Sequence, residues 1–300
     1  MPGRRRPPLP EVSPEAAVVV LGLLSAIAWG SGDFGGGLMS RRAPLFGVVG
    51  LAQFVGVFGA LAMAILLREP LPTFPDIAWA AGAGIGGMVG ISALYRGLAA
   101  GRMGVVAPVT GVLGAAIPVV FGFAVEGVPD AITVVGIVGA LIAVVLVTRA
   151  PGHGTDRPSG IEWALLAGVA IGWFNICIGQ FAGASPFGLL VIIRLLQAAM
   201  MALLIVLWRQ PWRLPREIVP KVVGIGMLDM IGNAAFIVAA QVGALAVATV
   251  LSSLYPVTTV VLAIVILRER LTRGHVAGIV LTAISIALIA AGSTATVSAG

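Results

Sequence analysis

Runs of about 20 apolar residues, separated by short polar turns, recur along this chain from residue 17 to residue 292. That repetition restricts the fold more than any other feature. A bilayer's hydrocarbon core, roughly 30 Å thick, takes about 20 helical residues to cross, and within it every backbone N–H and C=O needs a partner from the chain itself. Breaking the runs at charges and at Pro/Gly clusters predicts ten helices, at 17–39, 44–67, 77–100, 104–125, 130–148, 162–183, 186–208, 219–241, 244–267 and 275–292. With 59% hydrophobic and only 10% charged residues, the chain lacks the polar surface that a water-soluble domain of 300 residues would present. The expected class is an all-α polytopic membrane protein of ten transmembrane helices, multi-pass in the inner cell membrane, with the lipid bilayer as its first partner.

The net charge of +6 does not mark a nucleic-acid binder, because the cations are scattered among short inter-helix turns rather than gathered on one face. Cys177 is the only cysteine, which excludes an intrachain disulfide and a cysteine-based metal cluster. The Arg- and Pro-rich start, residues 1–16, reads as a disordered tail before a first span too long for a signal peptide, and residues 293–300 read as a C-terminal tail. The longest connection, Arg149 to Gly160, falls at the midpoint and divides five helices (17–148) from five (162–292) across a linker at 149–161.

The two halves align. Ile85-Gly86 matches Ile225-Gly226, Ala99-Ala100 matches Ala239-Ala240, and Trp29–Phe34 matches Ile171–Ile176, which sets Asp33 opposite Asn175. An odd number of spans per half makes the second enter from the opposite face, so the expected architecture is two inverted five-helix repeats, the arrangement of alternating-access carriers. Orientation stays open. Arg4, Arg5, Arg6 and Arg68 lie on the N-terminal side against twelve cations on the other, and this loop count conflicts with the basic flank of the first helix.

Ala93-Leu94-Tyr95-Arg96-Gly97-Leu98, Val106-Ala107-Pro108-Val109 with Ile117-Pro118, and Leu251-Ser252-Ser253-Leu254-Tyr255-Pro256 running to Leu267-Arg268-Glu269-Arg270-Leu271 give the chain a resemblance to the EamA-type branch of the drug/metabolite transporter superfamily. The first-half copy departs from the pattern, since Glu126 is followed by Gly-Val. The resemblance implies an exporter or exchanger with a central cavity lined by the first four helices of each half. It does not name a substrate.

Ionisable groups inside spans are costly in hydrocarbon and are functional candidates for that reason: Asp33, Arg96, Arg194 and Asp229. By depth alone they form two pairs, Asp33 with Arg96 and Asp229 with Arg194. Burial favours the protonated form of a carboxyl and a nearby guanidinium favours the ionised form, so substrate that displaced an arginine would drive proton uptake. The alternatives are structural ion pairs, or, for Arg96 near a helix end, a side chain snorkelling to the interface. Asn175, Asn233 and Gln197 are candidate hydrogen-bonding groups for a substrate, with cross-helix bonds an equal alternative; Gln53 and Gln180 have weaker support.

Trp29, Trp173, Tyr95 and Tyr255 are amphipathic, and could wall a site or simply pack. The run Gly30-Ser31-Gly32-Asp33-Phe34-Gly35-Gly36-Gly37 suggests a locally broken helix, and Gly82, Gly86 and Gly90 form a small-residue stripe. Pro108, Pro118 and Pro256 interrupt corresponding helices and are hinge candidates, with static kinks as the alternative. Glu126 and Glu269 read as solvated caps or loop salt bridges, and His153 and His275 as loop residues with no metal site. No P-loop, HExxH or nucleophile elbow occurs, and the sequence calls for no enzyme activity, metal or cofactor. The expected function is secondary active transport of a small organic metabolite, with protons as an optional coupling ion. A lipid-head-group translocator or structural subunit is the alternative. A homodimer is compatible with all of this.

Overall fold

In the computed structural model the protein is described at residues 14–126, 131–149, 159–180, 185–242, 248, 251–269 and 271–297. Most of the expected N-terminal tail, the centre of the linker with His153, and the last three residues lie outside this set. The described residues form ten helices and no strand. These are α1 (Pro14–Ser40), α2 (Leu45–Leu66), α3 (Phe74–Ala100), α4 (Met103–Glu126), α5 (Ala131–Arg149), α6 (Ile161–Gly179), α7 (Pro186–Leu207), α8 (Val219–Val242), α9 (Tyr255–Leu267) and α10 (Arg273–Val297). Six of them, α1, α2, α3, α6, α7 and α8, are long and apolar enough to cross a membrane. The shortest of these has 19 residues, a rise of about 28 Å at 1.5 Å per residue.

Pairing in the bundle runs between the halves. Helix α1 lies along α8 as α6 lies along α3; α2 packs on α7, α2 meets α8 as α7 meets α3, and α5 pairs with α10. Glycine sets how closely these helices approach. A methyl at Gly86 would lie 2.7 Å from Trp173 Cδ1 and 2.9 Å from the Ala170 carbonyl oxygen, so the stripe on α3 is the bed in which α6 rests. Outward-facing Val20, Ile27, Phe58, Ile65 and Val206 are exposed, an apolar periphery that suits lipid and not water.

The glycine-rich run around Asp33 does not break α1, which continues through it to Ser40. Its glycines serve close packing instead: Gly36 receives the ring of Tyr95 from α3, and Gly30 receives the Tyr255 carbonyl of α9. Nor do Pro108 and Pro118 interrupt α4, which is continuous from Met103 to Glu126. Proline 118 has no N–H for the Gly114 carbonyl, and Asn175 Nδ2 of α6 donates to that oxygen at 3.0 Å. A neighbouring helix therefore supplies the missing bond. The break falls in the ninth expected helix, of which residues 244–247, 249 and 250 lie outside the described residues: Ser253 and Leu254 form a turn, and α9 starts at Tyr255 with Pro256 in its first turn. His275 is not in a loop but inside α10, buried, with Thr272 Oγ1 and Arg102 Nη1 at its two ring nitrogens at 2.8 and 3.3 Å.

Helices α2, α7 and α9 end alike. Arg68, Arg209 and Arg268 adopt left-handed backbone, with φ of 52°, 49° and 54°, an uncommon conformation outside glycine that closes a helix C-terminus. The residue after each is Glu69, Gln210 or Glu269. Glu69 accepts from the Phe187 and Gly188 N–H groups at 3.3 and 2.8 Å, capping α7. Glu269 accepts from Met103 and Gly104, each at 3.2 Å, capping α4. Each carboxylate thus satisfies the free N–H groups of a helix in the other half. Glu69→Ala and Glu269→Ala should each cost about 1–2 kcal/mol, read as a lowered Tm of the detergent-solubilised protein; an unchanged Tm in both would remove these caps from the account.

Candidate functional site

Midway along α7, Arg194 is held inside the bundle with 8% of its surface exposed. Its stem crosses Gly56 of α2, where a methyl would meet Cδ at 3.2 Å. Residues 194 and 197, one turn apart, turn the same face toward α2 and α3, and α2 contributes Gln53 from opposite. The guanidinium spends its donors on three partners: Nη2 on Asp229 Oδ2 of α8, Nη1 on Gln53 Oε1, and Nη1 on Gln197 Oε1 at 3.2 Å. On the same face of α8, Asn233 Nδ2 donates to the Asp229 carbonyl at 2.7 Å and reaches its carboxylate at 3.4 Å. The neighbouring amides take up Nη1 beside the ion pair, while the buried Nε has no hydrogen-bond partner among the described residues. Asp229 keeps a third of its side chain accessible, so one end of the network faces open space.

Asp33 sits on α1 across from this network. Gly32, beside it, faces the backbone of Ile225 and Asp229, and the Asp33 carboxylate is within electrostatic range of Asp229, Tyr95 and Tyr255. One turn away, Trp29 meets Tyr255 edge-on with centroids 6.4 Å apart and Phe236 of α8 at 5.9 Å. Asp33, Trp29, Tyr95, Tyr255, Asp229, Asn233 and Arg194 therefore share one interior region, contributed by α1, α3, α7, α8 and the first turn of α9.

The other candidates lie elsewhere. Arg96 does not pair with Asp33: it is exposed and stacks over the Trp163 ring at 5.9 Å. Depth along α3 matches, but Tyr95 takes the direction toward α1, and the next residue, about 100° further round the helix, points to α6. Trp173 lies half-exposed, and its Nε1–H donates to the Gly82 carbonyl at 3.2 Å. Asn175 serves α4 as described. Two residues that matter were weak or absent in the sequence reading. Gln53 completes the arginine's shell, and Phe236 joins the aromatic group; both become visible only once α2 is known to face α7, and α1 to face α8. Glu69 had one sequence signal, the recurrence of Leu-Arg-Glu at 67–69 and 267–269.

The bundle is asymmetric about this region. At the end where α1 finishes, Arg41 Nη2 donates to the Leu98 carbonyl at 2.8 Å, and a continuous apolar cluster joins Phe34, Val49, Leu98, Val106, Ile225 and Val260 from six helices. Toward the opposite end the buried apolar residues divide, with Phe187, Ile193 and Ala80 in one cluster and Val18, Ala239 and Ala248 in another. Helix α1 packs on α3; the corresponding α6 and α8 make no comparable contact among the described residues.

Residues 158–291, spanning α6 to α10, match the EamA-like transporter family, part of the drug/metabolite transporter superfamily, as the sequence resemblance led us to expect. The match covers the second half of the chain, and the six long apolar helices have the length and composition to cross a membrane. No curated protein matches the chain. A solved crystal structure shares the fold with a TM-score of 0.59 at 19% identity, over 91% of this chain and 96% of its own.

Removing one member of a buried pair strands the other, so Arg194→Ala should destabilise the protein by about 3 kcal/mol or more, whereas the neutral double variant Arg194→Gln/Asp229→Asn should recover most of that loss. Thermal unfolding of the three proteins decides it; equal destabilisation by the single and double changes would rule out a tight charge coupling.

Proposed function

From the family match we propose that this chain is a secondary active carrier, an exporter or exchanger, that moves a small organic metabolite through a cavity at the middle of the bilayer. The observation that carries this reading is the Arg194–Asp229 pair with its amide shell, a costly polar network placed inside an apolar bundle and left partly open at Asp229. We read the chain as ten spans in two inverted five-helix repeats in the inner cell membrane. The reciprocal pairing of α1 with α8 and α6 with α3, and the crossed caps from Glu69 and Glu269, support that reading.

Alternating access then has a simple physical basis. Two halves built alike can exchange packings, and the conformer described here has α1 drawn onto α3 while α6 stands away from α8. In this reading the end sealed by Arg41 and the large apolar cluster is the closed gate, and the opposite end is the open one. The exchange of roles between the halves would close the second and open the first. The turn at Ser253–Leu254 before Pro256 is the hinge that lets the start of α9 move without unwinding a full span; Pro108 and Pro118, inside a continuous α4, serve as fixed kinks.

Coupling follows from the same network. Arg194 neutralises Asp229 in the empty site; a substrate that displaces the arginine frees the carboxylate, which then takes a proton from the open side. Purified protein in liposomes, given labelled metabolites with and without a pH gradient, should accumulate its substrate only with the gradient. Asp229→Asn should abolish gradient-driven accumulation while counterflow persists. Full gradient-driven uptake by both Asp229→Asn and Asp33→Asn would overturn the coupling scheme.

A further inference from the structure

Resting on the carrier reading, we propose that its cargo is an organic cation, an amine attached to a flat apolar body, and that Asp33 together with the Trp29–Tyr255–Phe236 group is the subsite that holds it. Two features support this, one from charge and one from shape.

Among the described residues, the interior region contains two carboxylates, Asp33 and Asp229, and one guanidinium, Arg194. Arg194 is committed to Asp229, Gln53 and Gln197. The only other arginine at comparable depth, Arg96, faces away over Trp163. Asp33 therefore has no hydrogen-bond or ion-pair partner among the described residues, although Asp229 on α8, Tyr95 on α3 and Tyr255 on α9 all lie within electrostatic range of it. The protein as a whole carries +6, yet its centre holds one carboxyl group more than it holds guanidinium groups. In a low-dielectric interior an ionised carboxylate needs an opposite charge beside it, and a cationic ligand supplies the partner that the chain withholds.

The shape of the surroundings selects the kind of cation. Trp29 and Asp33 are four residues apart on an unbroken α1 and so lie on one face. The Trp29 indole is met edge-on by Tyr255 and at a tilt by Phe236, with centroids at 6.4 and 5.9 Å. A carboxylate one helical turn from an aromatic cluster binds an ammonium in two ways, by charge and by the negative faces of the rings, while the same rings stack on an apolar body. A metal ion would want further oxygen ligands, and among the described residues no group of three or more His, Cys, Asp or Glu could provide them.

Three indoles of one shape and different charge separate these cases: tryptamine, tryptophol and indole-3-acetate. Labelled tryptamine should bind the purified full chain saturably, and tryptophol and indole-3-acetate should compete about tenfold or more weakly. Asp33→Asn should erase the preference for tryptamine over tryptophol, Asp33→Glu should retain it, and Trp29→Leu should weaken binding of tryptamine and tryptophol alike. Absence of saturable tryptamine binding, or equal competition by either analogue, would overturn the cation assignment. So would a charge preference that survives Asp33→Asn. Counterflow in liposomes separates this from the carrier reading: transport of a neutral or anionic compound would leave a carrier with the wrong cargo class assigned, whereas charge-selective binding of tryptamine without counterflow of any compound would leave the site and remove the carrier.

Discussion

Hydrocarbon offers no hydrogen bonds, and the design of this protein turns on what that does to Arg194. A guanidinium cannot be left alone in such a medium, and this one recruits a carboxylate from α8 and amides from α2 and its own helix. Those partners tie α2, α7 and α8 into one unit, so the site also orders the bundle around it. The same rule explains Asn175, which answers the carbonyl left free by Pro118, and Trp173, whose indole binds a backbone oxygen of α3. Side chains that resemble substrate ligands in a sequence are in these two cases occupied by the backbone.

Glycine governs the second level. Where α1 carries Gly30 and Gly36, backbone from α9 and a ring from α3 come close enough to occupy the space of a side chain. Close, smooth contacts of this kind have few interlocking side chains to disengage, and they suit helices that must change neighbours. The large apolar cluster at one end and the divided clusters at the other give the two ends of the bundle unequal packing.

The helices were legible from sequence because long apolar runs are broken by charges and by Pro/Gly clusters, and nine of the ten expected segments coincide closely with helices among the described residues. The ninth did not, since the apolar pattern of 244–267 runs straight across the turn at Ser253–Leu254. Within the site, depth was legible and direction was not. Asp229 and Arg194 share a level and meet; Asp33 and Arg96 share a level too, yet one helical step sends Arg96 to Trp163. Rotation about a helix axis is set by which neighbour it packs against, and that is a tertiary fact. Gln53 illustrates the same limit, being a polar residue on an apolar helix until α7 is placed beside it. Proline was ambiguous for another reason: whether it breaks a helix depends on a donor from elsewhere in the chain, present at Gly114 and invisible in the local sequence.

The crossed caps have a consequence for how the protein is made. Glu69 finds its N–H partners 118 and 119 residues later in the chain, and Met103 and Gly104 find theirs 166 and 165 residues later. During synthesis, the first half must therefore wait at the membrane with one acid unclaimed and the start of α4 uncapped until the second half has been inserted. Neither half is a finished object by itself.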